Sequence, residues 1–305
     1  MTRITRRAAL AATAAMPLTA LALPSLAAAP KREPVQQNIR RFGLGDLEVT
    51  TLLANTVTNP SDPQTIFGMN VDTETFAEVS REAFLPTDAT QFFFTPTLVN
   101  TGESLVLFDT GQSAADIVAA VEAAGYTPDD VDTIVLTHMH GDHIGGLMQD
   151  GAPTFVNAAY VTGQVEYDAW AAAPSEGFTA MVEPLADRMT FLADGQDAVP
   201  GITAMAAFGH TPGHMTYRLS SGDRSLLIAA DLANHYVWSL AYPDWEVRFD
   251  MDKEAAAQSR RTVLGMLAAE RMPMIGYHMP FPAVGYVEAR EDGFRWVPES
   301  YQFML

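Results

Sequence analysis

The chain has 305 residues, 48% of them hydrophobic, which is enough to form a substantial buried core and argues against global disorder. Its formal net charge of −19 at pH 7 argues against nucleic acid or an anionic membrane surface as a partner. The sequence contains no cysteine, which excludes disulfides, thiolate metal ligands and a cysteine nucleophile. Any transition-metal site must therefore use imidazole and carboxylate groups, which suit zinc and similar ions.

The first residues have the pattern of an export signal. Three arginines precede an apolar stretch that ends in small residues, where a signal peptidase could cut. Arg6 and Arg7 stand together, as in twin-arginine signals. Pro17 and Pro24 interrupt the apolar stretch, which argues against a membrane anchor. We therefore predict a removable signal peptide over residues 1–29 and a periplasmic or secreted mature protein without membrane anchoring.

The rest of the chain alternates between strand-like apolar runs and helical patterns. Because the helices are interspersed with strands, and neither a repeat nor a linker interrupts them, we predict one α/β layered domain over residues 30–305. The last helix is expected to begin after Asp250 or Asp252 as its N-cap and to stop before Pro273. In chain order the predicted elements are strands at 47–55, 91–102 and 104–111, a helix at 113–125, strands at 132–138 and 154–162, a helix at 163–173, strands at 189–193, 202–210, 215–222 and 224–232, and a helix at 252–271.

Three histidines and an aspartate stand within six residues in the stretch THMHGDHIGG. His138 ends a predicted buried strand, and open sheets commonly build sites at such ends. His138 and His140 share one face of an extended chain because they are two residues apart. The glycine that follows lets the loop turn back and brings Asp142 and His143 towards them. We therefore predict half of a metal site here rather than a histidine-rich turn.

Further ligands are expected where other apolar runs end. His210, Asp231 and His278 each stand at the end of such a run. With the histidine-rich loop they make five histidines and two aspartates, enough for two ions that share one carboxylate. His214 and His235 are left over, and we interpret them as supporting or surface histidines.

These pieces resemble the metallo-β-lactamase superfamily. THMHGDHIGG matches the H-x-H-x-D-H element of that family, and LFDTG, GHTPGH, AADL and a late YH follow the family's order over roughly residues 42–303. The resemblance implies an αββα sandwich with two divalent metal ions, of which Zn²⁺ is the ion expected first. It also implies the ligands: His138, His140 and His210 for one ion, Asp142, His143 and His278 for the other, Asp231 bridging both, and Asp109 orienting a ligand histidine.

The resemblance also implies hydrolysis, in which the cations lower the pKa of a bridging water and Asp142 moves a proton towards the leaving oxygen. Within the family the chain resembles N-acyl-homoserine lactone lactonases and methyl parathion hydrolase. We expect an enzyme that opens N-acyl-homoserine lactones, as in quorum quenching. The alternatives are an organophosphate or aryl ester hydrolase, another hydrolase of this fold acting on thioesters or β-lactams, and a non-catalytic metal-binding protein.

The substrate is expected to be a small neutral ester or lactone, because the strong acidity disfavours anions. The lactonases place a tyrosine soon after the bridging aspartate, where this chain has Asn234, so His235 or Tyr236 is expected to assist the leaving group. Residues 54–79 could form a substrate lid or the arm of a homodimer. The aromatic residues expected in an acyl or aryl pocket are Phe67, Trp170, Phe178, Trp238 and Phe281.

Overall fold

The structure is a computed structural model that describes residues 37–304, so the predicted signal peptide at 1–29 lies outside the described residues. Within 37–304 no helix combines the length and the apolar character needed to cross a bilayer. The α-helices of this range are α1 (Thr73–Glu82), α2 (Ala114–Ala123), α3 (Gly141–Ile144), α4 (Gln164–Ala172), α5 (Glu176–Met181) and α6 (Lys253–Glu270). The strands are β1 (Ile39–Leu44), β2 (Leu47–Leu52), β3 (Asn55–Asn59), β4 (Thr90–Phe94), β5 (Thr97–Asn100), β6 (Leu105–Phe108), β7 (Thr133–Leu136), β8 (Met148–Gln149), β9 (Ala152–Pro153), β10 (Ala159–Gly163), β11 (Met189–Leu192), β12 (Asp197–Val199), β13 (Ile202–Ala206), β14 (Met215–Ser221), β15 (Arg224–Ala230), β16 (Met274–Gly276), β17 (Val284–Arg290) and β18 (Gly293–Pro298).

Two seven-stranded sheets dominate the described residues. The first has the order β1-β2-β5-β6-β7-β10-β11, and the second runs β12-β13-β14-β15-β16-β17-β18. Neighbours β6 and β7 are parallel in the first sheet, as are β15 and β16 in the second. The chain segments that follow these four strands therefore leave each sheet at its carboxyl-terminal edge, where open sheets place their sites.

Strand β6 illustrates how the layers are held together. Val106 and Phe108 join the large core cluster, which also contains second-sheet residues such as Tyr217 and Ile228. Leu105 and Leu107 point to the other face and pack in a second cluster with Ile117 and Val121 of α2. Successive side chains of a strand face opposite ways, so a strand buried on both faces must be apolar throughout.

Helix α6 covers the second sheet in the corresponding way. It buries Val263, Leu264 and Leu267 in the same core cluster as Leu227 and Met274 of that sheet. Helices thus flank two facing sheets, and the predicted αββα sandwich is confirmed.

The three predicted helices are present as α2, α4 and α6, with small differences at the ends. Asp252 is the N-cap of α6, since its carboxylate accepts the N–H of Ala255 at 3.0 Å. Asp250 has another role, described below. The predicted strand 91–102 is two strands, β4 and β5, separated at Pro96, whose nitrogen cannot donate to a ladder.

Residues 55–94 form an arm of which the sequence predicted only the last strand, β4. It consists of the antiparallel pair β3–β4 with α1 between them in sequence. Phe76 of α1 stacks on Trp238, and the indole Nε1 donates to Ser80 Oγ at 3.0 Å. The arm is therefore anchored on its own chain, to the segment that follows β15. A homodimer stays a prediction.

Candidate metal centre

The histidine-rich loop connects β7 to α3. His140 is the N-cap of α3, and His143 lies within this short helix. His138 and His143 are fully buried, whereas His140 is half-buried and Asp142 keeps 24% of its side chain exposed. Two of the four side chains therefore reach solvent, and the other two are sealed inside the protein.

The first group of predicted ligands converges on one point. Nδ1 of His140 lies 3.2 Å from Nε2 of His138 and 3.0 Å from Nε2 of His210. Oδ2 of Asp231 lies 3.2 Å from Nε2 of His210 and 3.9 Å from that of His138. All four ligand atoms lie within 4.8 Å of one another, the arrangement needed to hold one cation.

The second group lies beside the first and shares Asp231 with it. Nε2 of His278 is 3.4 Å from Oδ2 of Asp142 and 3.1 Å from Oδ2 of Asp231. Nε2 of His143 is 3.7 Å from Oδ2 of Asp142 and 3.1 Å from Oδ1 of Asp231. The structure thus brings all seven predicted ligands together, with the Asp231 carboxylate between the two groups.

The buried atoms Nε2 of His143 and Oδ1 of Asp231 lie 3.1 Å apart without the alignment of a hydrogen bond, and neither has a hydrogen-bond partner among the described residues. Leaving such atoms unpaired costs about 1–3 kcal/mol each. A cation between them would satisfy both, and the donor set of imidazoles and carboxylates without thiolates is one that Zn²⁺ accepts. The residues present therefore fit a pair of divalent cations.

Most of the ligand imidazoles are oriented through the ring nitrogen that faces away from the cluster. Nδ1 of His143 donates to Oδ2 of Asp109 at 2.8 Å, as the resemblance implies for Asp109. Nδ1 of His278 donates to the carbonyl oxygen of Phe93 at 2.8 Å. Such bonds fix the tautomer and leave Nε2 free to bind a metal.

Asp250 is a positioning residue that sequence reasoning missed. Its Oδ1 accepts the Nδ1 proton of His210 at 2.9 Å, and its Oδ2 accepts from Nη1 of Arg260 at 2.7 Å. Asp250 and Arg260 are both buried. The only signal in the sequence was an aspartate placed close before a helix, and that was interpreted as a helix cap.

Glu166, also missed, joins helix α4 to two loops around the centre. It is fully buried on α4, and its carboxylate accepts four hydrogen bonds. Burial raises the pKa of this carboxyl group, and the four donors oppose that rise. The donors are the Met139 N–H at 2.9 Å, the Trp170 indole at 2.7 Å, the Thr211 hydroxyl at 2.7 Å and the Gly213 N–H at 2.8 Å.

Among the leftover histidines, His214 supports the bridging aspartate. It is fully buried, its Nδ1 donates to the carbonyl of Ala207 at 3.1 Å, and its Nε2 accepts the backbone N–H of Asp231 at 3.2 Å. Asn234 acts on the same residue, since its side-chain amide donates to Oδ2 of Asp231 at 2.8 Å. The bridging carboxylate is therefore held from its backbone and from its side chain.

The carboxylates and imidazoles of the cluster shift one another's pKa values. Burial would raise the pKa of Asp142, but the charges of His143 and His278 lower it to about 2. Burial likewise opposes protonation of His278, yet Asp231 and Asp142 raise its pKa to about 10. The pKa of Asp231 is held well below its usual range by His278 and His143, against the effect of burial. Both aspartates are therefore anions at neutral pH.

An open cavity of about 520 Å³ lies over the cluster. His140, Asp142, Asp231 and His278 line its floor, and Gln112 and Gly141 lie beside them. The described residues that line it include neither Lys nor Arg. Its walls are aromatic and consist of Phe92, Phe94 and Phe249.

None of the five aromatic residues expected in the pocket lines this cavity, so that prediction requires correction. Phe67 and Trp238 are buried in the small cluster beneath the arm. Phe178, a residue of α5, is buried in the second core cluster, which also contains residues of β6 and α2. Trp170 lies near the His140 ring, at 6.1 Å between ring centroids, but its indole is held by Glu166. Phe281 is half-buried on the loop between β16 and β17. Burial against neighbouring elements, which depends on the tertiary fold, decided the cases of Phe67, Trp238 and Phe178.

The two residues expected to assist the leaving group do not line the cavity either. His235 and Tyr236 line a separate pocket on the other side of β4. The ring of His235 stacks on Trp238 at 4.1 Å and 16°, and its Nδ1 accepts the backbone N–H groups of Val237 and Trp238. The turn after Asp231 therefore places both side chains outside the lining of the metal cavity.

Residues 95–273, more than half of the chain, match the family model described as the metallo-beta-lactamase superfamily. The chain belongs to the metallo-β-lactamase superfamily. This superfamily assignment agrees with the αββα sandwich and with the two ligand groups at its strand ends.

Relatives within the superfamily include lactonases. An N-acyl homoserine lactonase from Bacillus sp. is 33% identical over 102 residues, which are 33% of this chain and 37% of that protein. The N-acyl homoserine lactonase AiiA from Bacillus thuringiensis subsp. kurstaki matches with the same identity and the same shares. The chain therefore matches little more than a third of the length of these curated relatives.

Two solved superfamily structures match over nearly the whole of their own chains. One is AidC, described as a dizinc quorum-quenching lactonase, with 25% identity and a TM-score of 0.78 over 87% of this chain and 98% of that one. The other is the hydrolase AbOPH of the beta lactamase superfamily, with 25% identity and a TM-score of 0.80 over 88% and 100% of the two chains.

Proposed function

We propose that this protein is an exported dinuclear metal hydrolase that opens the lactone ring of N-acyl-homoserine lactones. The observation that carries the proposal is the cavity over the seven ligands, which has three phenylalanines for walls and neither Lys nor Arg among its described lining residues. A neutral head group with an apolar tail suits such a cavity. The lactonases among its relatives support this choice.

The ligand groups identified above would hold the two cations. Bound there, they would lower the pKa of a water molecule to near neutrality and polarise the scissile carbonyl. The chain's own contribution is to fix the ligand imidazoles through Asp109, Asp250 and the carbonyl of Phe93. Rigid ligands keep the substrate carbonyl at a fixed distance from the attacking water.

Asp142 is the group placed to move the proton. It lies on the cavity floor, is partly open, and its pKa of about 2 keeps it ionised at neutral pH. In the proposed reaction the water oxygen bonds to the lactone carbonyl carbon and the ring C–O bond breaks. The proton of the water passes through Asp142 to the leaving ring oxygen, which yields the open N-acyl-homoserine.

The three phenylalanines would hold the acyl chain. Phe92 and Phe94 lie on one face of β4, because alternate residues of a strand point the same way, and Phe249 lies at 6.2 Å from Phe92 between ring centroids. An aryl ester or aryl phosphotriester would also fit against these rings. The organophosphate hydrolase is therefore the second candidate.

A direct comparison of substrates tests the proposal. The metal-loaded mature protein is offered N-acyl-homoserine lactones of short and long chain and a nitrophenyl phosphotriester. We expect lactone turnover with kcat/KM of about 10⁴ M⁻¹s⁻¹ or above and much weaker phosphotriester turnover. The reverse ranking would favour the organophosphate hydrolase. Asp231→Asn is the control, because it should abolish turnover of either substrate.

Export is proposed from the first 29 residues alone. A variant in which Arg6 and Arg7 are both changed to lysine should accumulate inside cells if the pair is read as a twin-arginine signal. Cell fractionation with an antibody to the mature protein measures this. Equal export of the variant and the wild type would contradict a twin-arginine route.

A further inference from the structure

A second pocket lies on the other side of β4 from the metal centre. It has a volume of about 220 Å³ and lies between the arm and the segment that follows β15. Phe93 lines it, whereas Phe92 and Phe94, its neighbours in the strand, line the metal cavity. The strand therefore separates two different binding spaces, with His278 touching both.

The lining of this pocket is uncharged apart from its histidines. Leu85, Ala89, Phe93 and Trp238 contribute apolar surface, and none of the described lining residues is Asp, Glu, Lys or Arg. A cationic ligand would lose its hydration here without gaining a counter-charge, because no carboxylate is among the described lining residues. A neutral ligand would avoid this loss of hydration energy, because it carries no charge.

His235 supplies one hydrogen-bond donor in this apolar surrounding. Its Nδ1 accepts two backbone N–H groups, at 3.1 and 3.2 Å, so the imidazole proton stands on Nε2. Burial lowers the pKa of His235 to about 3, so the ring is neutral. Only 7% of the residue is exposed. No described residue accepts a hydrogen bond from Nε2 of His235. This nitrogen is also not among the fully buried side-chain atoms that lack a hydrogen-bond partner.

We propose that this pocket is a second binding site, which takes a neutral and mostly apolar small molecule with one hydrogen-bond acceptor, recognised by the Nε2–H of His235. The acceptor would be a ketone, ester or amide carbonyl. The site is separate from the metal cavity and does not depend on the proposed lactonase activity.

The volume sets the size of the ligand. A dry cavity of about 150 Å³ holds one benzene molecule. By proportion, a pocket of about 220 Å³ holds about nine non-hydrogen atoms. 2-Octanone has that size, a single carbonyl acceptor and no charge, which makes it a suitable probe. Octylammonium has the same size but carries a charge and has no acceptor.

The test is a titration of the metal-loaded protein with each probe, followed by ligand-observed NMR. We expect 2-octanone to bind at least 10-fold more tightly than octylammonium. Ala89→Trp, which fills the pocket, should abolish binding, and the matched control Ala123→Trp at the exposed end of α2 should leave it unchanged. His235→Phe keeps an aromatic ring on Trp238 and should weaken 2-octanone about 5-fold to 10-fold, the effect of one lost hydrogen bond.

Three results would overturn the proposal: no saturable binding of 2-octanone, binding that survives Ala89→Trp, or equal affinity for the two probes. If His235→Phe fails to fold, Ala89→Trp still decides the location of binding.

Kinetics distinguish the source of the natural ligand. If 2-octanone raises KM for a long-chain lactone and not for a short-chain one, the pocket takes the tail of the substrate. If it changes neither KM, the pocket takes a separate molecule.

Discussion

His210 and Asp250 are joined by a hydrogen bond of 2.9 Å from Nδ1 of the imidazole to Oδ1 of the carboxylate. The other carboxylate oxygen accepts from Arg260, and all three side chains are buried. His210 is a predicted ligand of the candidate metal centre, so this chain of contacts runs from helix α6 to that centre. A carboxylate in this position fixes the ring and makes Nε2 a better ligand.

Replacing Asp250 by Asn should therefore lower metal affinity by about 10-fold to 100-fold, the usual cost of losing such a partner. Competition with a chelator measures this independently of turnover. Asp244→Asn is the matched control, because Asp244 pairs with Arg261 at the surface and touches no ligand. Equal affinities for Asp250→Asn and the wild type would contradict the positioning role.

The neighbouring arginines of α6 should differ sharply in their effect on stability. Arg260→Met leaves the Asp250 carboxylate buried without its cation, which should lower the free energy of unfolding by about 3–5 kcal/mol. Arg261→Met breaks only an exposed pair, with an expected cost below about 1 kcal/mol. Urea denaturation of both variants measures the difference. A loss for Arg260→Met as small as the one for Arg261→Met would mean that the buried pair is not needed for stability.

The contrast between ligands and supporting residues shows where sequence reasoning stops. The seven ligands could be predicted because four of them, His138, His210, Asp231 and His278, follow apolar runs, and the other three stand within five residues of His138 in the same loop. Asp250 could not be found in this way. Its role depends on where α6 begins, and the cap at Asp252 stands only two residues away.

The cavity walls escaped prediction for a similar reason. Three consecutive phenylalanines in β4 must place two on one face and one on the other, but the sequence does not say which face meets the metals. That depends on how the arm folds back onto the segment after β15. The layered fold itself could be predicted, because its apolar runs and helical spacing are local properties.

Glu166 should be important for stability although it is hydrogen-bonded to none of the predicted metal-ligating side chains. Its carboxylate accepts four hydrogen bonds, three of them buried, and Glu166→Gln would point an amide N–H group at donors that need an acceptor. We expect a loss of about 2 kcal/mol or more in the free energy of unfolding. Asp168→Asn is the control, since Asp168 accepts one exposed bond from Gln164 on the same helix. Thermal and urea denaturation should both show that Glu166→Gln is less stable than Asp168→Asn.

Phe249 should determine preference for acyl-chain length. Its replacement by alanine removes an apolar wall of the cavity, so kcat/KM should fall more for long-chain lactones than for short-chain ones. A loss of about 10-fold in kcat/KM for the long chain corresponds to a hydrophobic contact of about 1.4 kcal/mol. Phe84→Ala is the control, because Phe84 is 96% exposed and lies outside the cavity lining. A uniform loss over all chain lengths would contradict the assignment.

Metal binding at pH 8 should release protons. Burial lowers the pKa of His210, but hydrogen bonds to Asp231 and Asp250 raise it to about 9, and the pKa of His278 is about 10. Both rings therefore hold an extra proton in the metal-free protein at pH 8, and a metal binds only the unprotonated nitrogen. The release should diminish as pH rises through 9 and 10. Calorimetry in two buffers of different ionisation enthalpy measures it, and identical heats in both would refute it.

The measurement that tests the central claim most directly is lactone turnover during titration of the metal-free protein with Zn²⁺. If the two ligand groups hold two cations that act together on an N-acyl-homoserine lactone, turnover should rise and saturate at two equivalents per chain. Saturation at one equivalent would contradict the shared role of Asp231. Absence of lactone turnover with two equivalents bound would contradict the proposed substrate.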